Sequence, residues 1–345
     1  MPQQLKHPVR YASSERGSIA LVISACAVVI LLIALTIVFV RHSKVANTPN
    51  QTGSSSTDST KISKLATGSH AYTIQSGGIT RNYRIYLPPG LSGDTPLVVM
   101  MHGGGGNAAH SEQIYGWDQQ ADTGKFIVAY PDGLGDKVSA WNVDGSGDSS
   151  NPCCGYPARA HVNDVQFIQD MVTQIESQAD IDKQRIYATG MSNGAMLSYT
   201  LACETDTFAA IGTVSGTLLD KCTNPHRVSV LDIHGLLDTH VKYDGSPGEG
   251  TGSIDGPPIP DVASFWRKVD NCQSPSTTTS GVVATSTAQC ADGRTVEYIS
   301  VANAGHTWPS KDADPNQTKP DGSQQSNAID STSTLWQFFA AHAKH

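Results

Sequence analysis

Ser192 stands at the centre of Gly190-Met191-Ser192-Asn193-Gly194, and a hydroxyl in that setting is a candidate nucleophile. The apolar run Arg185 to Thr189 before it reads as a strand, and Ala195 to Ala202 after it reads as a helix. Glycines two residues before and two after the serine let strand and helix crowd together where a Cβ would not fit. The hydroxyl then lies at a helix N-terminus, where orphan N–H groups and the positive end of the helix dipole favour an oxyanion. In a chain with 32 glycines the pentapeptide alone carries little weight. Its partners must supply the rest.

A serine nucleophile needs a base, a carboxylate to orient that base, and N–H donors for the developing oxyanion. Of twelve histidines, His306 is the candidate base, because Ala304-Gly305-His306-Thr307-Trp308-Pro309 makes a turn directly after the last strand-like run. His226 and His240 fall too early in the chain, and His7, His42, His70, His110, His161, His342 and His345 lack a strand-end setting. Val230 to Asp238 runs off a strand into a loop and puts Asp238 just past the strand end, the place for an orienting carboxylate. Asp232, inside the strand, and Asp244, further out, are weaker candidates, and His234 reads as structural beside the sharp exit at Gly235. Met101-His102-Gly103-Gly104-Gly105-Gly106 brings backbone N–H groups to a strand end, where they could face a developing oxyanion, with Asn193, the residue after the nucleophile, as the second donor. No Gly-Lys-Ser/Thr follows those glycines, which argues against a phosphate loop. Trp141 and Trp308 are candidates for lining a substrate pocket, with a structural role for each equally open.

These residues must be held by a sheet. Leu97 to Met101, Phe126 to Tyr130, Arg185 to Thr189, Ala209 to Val214, Val228 to Ile233 and Val296 to Val301 are near-continuous apolar runs, the pattern of strands buried on both faces. Val162, Val165, Ile168, Val172 and Ile175 recur at helical spacing, and Thr334 to Phe339 reads as a closing helix. The expected fold class is α/β: a mostly parallel central sheet with helices on both faces. A hairpin across Gly77-Gly78 opens it, and residues 243–260, rich in Gly and Pro, read as a long surface loop.

Ile19 to Val40 runs without a charge between Arg16 and Arg41, long enough to span a bilayer, since about 20 apolar residues suffice. The expected organisation is a cytoplasmic tail at 1–18, a transmembrane anchor at 19–40, a Ser/Thr-rich flexible linker at 41–69 and a catalytic domain at 70–345. Ile23-Ser24-Ala25-Cys26 resembles a lipoprotein cleavage site, but the residues after Cys26 stay apolar, which favours the uncleaved anchor. The other six cysteines, Cys153, Cys154, Cys203, Cys222, Cys272 and Cys290, contain no CxxC pair to suggest zinc. Disulfides among them would place the domain outside the cytoplasm, at the cell surface or released from it. Cys203/Cys222 and Cys272/Cys290 would close short loops, Cys153/Cys154 could pair with each other or with distant partners, and the connectivity stays open. A net charge of −8 without a basic cluster in the globular part argues against nucleic acid. No metal or cofactor is expected.

His102-Gly103-Gly104, Trp141 with Cys153-Cys154-Gly155, Asn163 to Ile168, Gly190 to Met196, His234 to Asp238 with Tyr243-Asp244-Gly245, and Gly305 to Pro309 occur in one order. Together they resemble the polyhydroxybutyrate depolymerase and feruloyl esterase family of α/β hydrolases, over roughly residues 70 to 343. The resemblance implies an α/β-hydrolase fold, Ser192 as nucleophile, Asp238 as acid, His306 as base, and Gly104 and Asn193 as oxyanion donors. It also implies ester hydrolysis through an acyl-enzyme without a cofactor. Feruloyl or acetyl esters of polysaccharide and polyhydroxyalkanoate-type esters are the expected substrates. A catalytically silent surface protein on the same fold, used for adhesion or sensing, is the competing expectation.

Overall fold

Leu97, Val99 and Met101 bury themselves in one layer of the core and Val98 and Met100 in the other, so the strand that carries them is covered on both faces. It is β3 (Thr95–Met101), near the middle of a ten-stranded sheet. The computed structural model describes residues 65–143, 153–249 and 254–344, all within the unit Lys61–His345. The expected tail at 1–18, anchor at 19–40 and most of the linker at 41–69 lie outside the described residues. Among the described residues no helix is long and apolar enough to cross a membrane.

The chain opens with the hairpin β1 (Gly68–Ser76) and β2 (Ile79–Leu87), then runs through β3, α1 (Ala108–Ile114), α2 (Trp117–Gly124) and β4 (Ile127–Pro131). After α3 (Gly155–Arg159) and α4 (Asp164–Gln178) come β5 (Ile181–Met191), α5 (Asn193–Glu204), β6 (Ala210–Val214) and β7 (Ser229–Gly235). Then follow α6 (Ile259–Val269), the strands β8 (Ser276–Ser280), β9 (Val283–Gln289) and β10 (Thr295–Val301), and finally α7 (Ser331–Ala340). The strand order is β1-β2-β4-β3-β5-β6-β7-β10-β9-β8. From β4 through β10 every neighbouring pair is parallel, while β1, β2, β8 and β9 add antiparallel edges. The α/β expectation for the globular part therefore holds.

Connectivity decides where a site can form. From β3 the chain moves to β4 on one side, then returns to β5 on the other, so the β3/β5 boundary is a topological switch point. Loops leaving the carboxyl ends of two such strands diverge to opposite faces and leave a crevice, the usual ligand site of open α/β sheets.

Two departures from the sequence reading have simple causes. β8 and β9 form a hairpin of Thr, Ser and Ala residues that are mostly exposed or half-buried, so no apolar period marks them; pairing with β10 orders them. The loop expected at 243–260 ends where Pro258 caps α6.

Sheet and site are joined by a buried ion pair. Arg81 on β2 reaches Asp164, at the start of α4, at 2.7 Å, and its guanidinium lies 3.9 Å over the Phe167 ring. The other carboxylate oxygen of Asp164 accepts the Asn142 N–H at 2.7 Å. Removing one member of a fully buried pair leaves the other charged and unpaired. We expect Arg81→Leu to lower the unfolding free energy by about 3–5 kcal/mol, read from urea unfolding midpoints. Arg81→Lys should recover part of that loss.

Candidate active site

Ser192 occupies the turn between β5 and α5 with φ 54 and ψ −118, a backbone conformation that costs a non-glycine residue on the order of 1–3 kcal/mol. Its surroundings hold it there: the Ser192 N–H donates to the Val214 carbonyl at 2.9 Å and its own carbonyl accepts from Met196 N at 2.9 Å. A Cβ on Gly194 would strike the Met101 carbonyl, so only glycine lets α5 pack this closely against the end of β3. The hydroxyl thereby stands beside the Gly103-Gly104 loop. A Cβ on Gly103 would lie 3.4 Å from that of Ser192.

Asp238, His306 and Ser192, separated widely in the chain, form one hydrogen-bonded line. His306 donates from Nδ1 to Asp238 Oδ2 at 2.8 Å and accepts the Ser192 hydroxyl at Nε2 at 2.9 Å. Asp238 leaves β7 where Gly235 passes so close to Ala304 that a side chain there would meet its carbonyl. Leu237 N–H donates to the same Ala304 carbonyl at 2.9 Å and stitches the acid loop to the turn that carries His306. The Asp238 side chain is wholly buried, and its Oδ1 accepts the N–H groups of His240 and Val241, each at 2.9 Å. Burial acts to raise the Asp238 carboxyl, but the His306 hydrogen bond, the nearby imidazoles and the Val241 N–H outweigh it and hold the group below the usual carboxylate range.

The two candidate oxyanion donors are braced by one another's surroundings. The Gly103 carbonyl accepts from Gly106 N at 2.9 Å and from His102 Nδ1 at 2.8 Å, while His102 Nε2 accepts the Gly133 N–H at 2.9 Å. These bonds place the imidazole proton on Nδ1, and burial, which pushes His102 below the ordinary histidine range, keeps the ring neutral. With its carbonyl pinned on one side, the planar 103–104 peptide turns the Gly104 N–H to the other. On the second donor, the Asn193 side chain accepts the Trp141 N–H at 2.7 Å and donates to the Trp141 carbonyl at 3.2 Å. Trp141 Nε1 in turn donates to the His102 carbonyl at 2.8 Å. The indole thus ties the Gly104 loop to the Asn193 turn.

That placement corrects the expectation of a tryptophan-lined pocket. Trp141 is fully buried as the brace just described, and Trp308 is buried too, donating to Thr332 Oγ1 at 3.1 Å and packing on Tyr115. Both are large rings that fill the core. His240, too early in the chain to be the base, nevertheless stacks its ring on His306 with centroids 4.8 Å apart; its position three residues before Tyr243 carries no pattern that announces this. Asp238, His240 and His306 offer possible metal-ligand atoms within 4.8 Å of one another. Both His306 nitrogens, however, are already engaged by Asp238 and Ser192.

The cysteines pair as Cys153–Cys154, Cys203–Cys222 and Cys272–Cys290. The first lies beside the brace: Cys154 N–H donates to the Trp141 carbonyl at 3.1 Å. The second ties α5 to the segment before β7.

Residues 81–239 match the family model described as esterase PHB depolymerase, a stretch that includes Ser192 and Asp238 and stops short of His306. NocK of Nocardia uniformis subsp. tsuyamanensis, which bears the name of an esterase, is 30% identical over 67% of this chain and 72% of its own length. The chain belongs to the esterase PHB depolymerase family. Feruloyl esterase B of Piromyces equi is 28% identical over 66% of the chain, which spans 42% of that relative's length. The acetyl xylan esterase of Aspergillus awamori superposes with a TM-score of 0.57 at 16% identity, over 79% of this chain and 99% of that one, a likeness of fold.

Three outcomes are expected of the site. Asp238→Asn removes the acceptor that holds His306 in its tautomer and should lower kcat by about 10⁴-fold with KM little changed, measured with a short acyl ester. A folded carboxyl below its unfolded value of about 3.9 stabilises the fold above that pH and ceases to do so as pH falls through the folded value. Asp238→Asn has no such contribution to lose, so its urea midpoint should fall less than the parent's between neutral pH and pH ~3. Trp141→Phe removes the indole N–H together with part of the buried ring, and should lower kcat about tenfold, or ~1.4 kcal/mol of transition-state stabilisation, at unchanged KM.

Proposed function

We propose that this chain is an extracytoplasmic serine esterase that cleaves carboxylic esters through an acyl-enzyme. The observation that carries the reading is the Asp238–His306–Ser192 hydrogen-bond line, set at the switch point of the sheet beside the Gly104 and Asn193 N–H groups. In the acylation step the Ser192 proton passes to His306 Nε2 as Oγ bonds to the ester carbonyl carbon. The carbonyl oxygen takes the negative charge and receives the Gly104 and Asn193 N–H groups. His306, now an imidazolium facing the Asp238 carboxylate, returns the proton to the alkoxide as the ester C–O bond breaks. Water repeats the sequence on the acyl-enzyme, releasing the acid and restoring Ser192.

Feruloyl or acetyl esters of polysaccharide and polyhydroxyalkanoate-type esters are the proposed substrates, supported by the family and by the names of the relatives. Placement of the domain outside the cytoplasm is supported by its three disulfides, which persist in oxidising compartments. The apolar run Ile19 to Val40 would hold it to the membrane.

Parent and Ser192→Ala proteins, compared on a chromogenic short-chain ester, should differ by at least about 10³-fold in kcat/KM. Equal rates, or none from either, would refute the assignment and favour the silent surface protein. Methyl ferulate, acetylated xylan and a polyhydroxybutyrate film then rank the substrate classes.

A further inference from the structure

Behind Asp238 lies a second carboxylate–imidazole pair that the acyl-transfer steps do not use. Asp232 and His234 stand two residues apart on β7, so both side chains leave the same face of the strand, and both are fully buried. Asp232 Oδ2 accepts the Tyr199 hydroxyl at 2.7 Å and the Thr213 hydroxyl at 2.6 Å. Tyr199 belongs to α5, the helix that begins at Ser192, and Thr213 to β6. On the other side His234 Nε2 donates to the Val241 carbonyl at 2.8 Å and lies 3.5 Å from Asp238 Oδ2, the oxygen that receives His306. Val241 N–H returns to Asp238 Oδ1.

Asp232 and His234 are not hydrogen-bonded to each other: His234 Nδ1 and Asp232 Oδ1 are 3.9 Å apart, too far for such a bond. Tyr298, the register partner of Asp232 on β10, turns a third hydroxyl toward that carboxyl. Burial raises the Asp232 carboxyl against the opposing pull of His234 and the three hydroxyls. With Nε2 donating to the Val241 carbonyl, the imidazole carries a proton on the side that faces Asp238.

We propose that His234 is a positioning residue that holds Asp238 for His306: its Nε2–H fixes the Val241 carbonyl, the Val241 N–H fixes Asp238 Oδ1, and the ring stands against the oxygen that receives His306. A simple core histidine would not need that approach to Asp238. The proposal rests on the reading of Asp238, His306 and Ser192 as the working triad.

Two variants test it, His234→Leu and His234→Gln. Two readouts are used, steady-state kinetics on a short-chain ester and the low-field proton resonance of the His306 Nδ1–H bonded to Asp238, which needs no turnover. His234→Leu should lower kcat on the order of 10²-fold, the scale of a small misplacement of a reacting group, with KM within about twofold. It should also shift or broaden the low-field resonance. His234→Gln, which keeps a donor for the Val241 carbonyl, should recover most of the loss. If His234→Leu does not fold, His234→Asn, a donor too short to reach the Val241 carbonyl, is read against His234→Gln in its place. A folded His234→Leu or His234→Asn with the parent's kcat and resonance, or a His234→Gln as impaired as either, would overturn the positioning role. Hydrolysis that survives Ser192→Ala would instead overturn the triad reading, while the resonance would still report whether His234 holds Asp238.

Discussion

The close approach of α5 to the end of β3 is the constraint on which the rest of the site depends. Gly194 sits against the Met101 carbonyl with no room for a Cβ, and Ser192 is forced into a positive-φ turn. That strain is small against the buried surface that surrounds it, for α5 is covered along nearly its whole length. Because the turn falls at the boundary where the chain reverses its direction across the sheet, the hydroxyl emerges in a crevice and not against a helix. Everything else at the site is arranged around that fixed point.

Two separate braces converge on it. One runs through backbone and indole: His102 pins the Gly103 carbonyl, Trp141 ties His102 to Asn193, and the two candidate oxyanion donors become parts of one unit. The other runs through side chains on β7, where Asp238 receives two backbone N–H groups and the His306 imidazole. Donors and acceptors held in place before substrate arrives need no reorganisation during the reaction, which is the main source of electrostatic advantage in such sites. The buried pair of Arg81 and Asp164 extends the first brace to the sheet, since Asp164 also fixes Asn142, the neighbour of Trp141.

The tryptophans and histidines show how type and burial diverge. A tryptophan next to a functional motif can line a pocket or fill a core, and nothing in local spacing separates the two. Trp141 proves to be a core ring whose indole N–H holds His102 while its main chain holds Asn193. His240 and His234 stand near the same aspartate, yet one stacks on His306 at the edge of the site and the other is sealed beneath the sheet. Only the direction in which each leaves the β7 strand and its loop distinguishes them.

The linear chain was sufficient for the parallel sheet, the strand-turn-helix around Ser192 and the order of Ser192, Asp238 and His306. Each is written in local periodicity, glycine placement or position relative to a strand end, which are short-range properties. The exposed β8–β9 hairpin was illegible because its Thr and Ser residues follow no apolar period and are ordered by a neighbouring strand. The pairing of the cysteines, the bracing by Trp141 and the Asn193 side chain, and the meeting of Asp238 with His306 were decided only in three dimensions. All depend on contacts between residues far apart in the chain or on which side of a strand a group leaves. Those are properties of packing, and packing is set by the whole core at once.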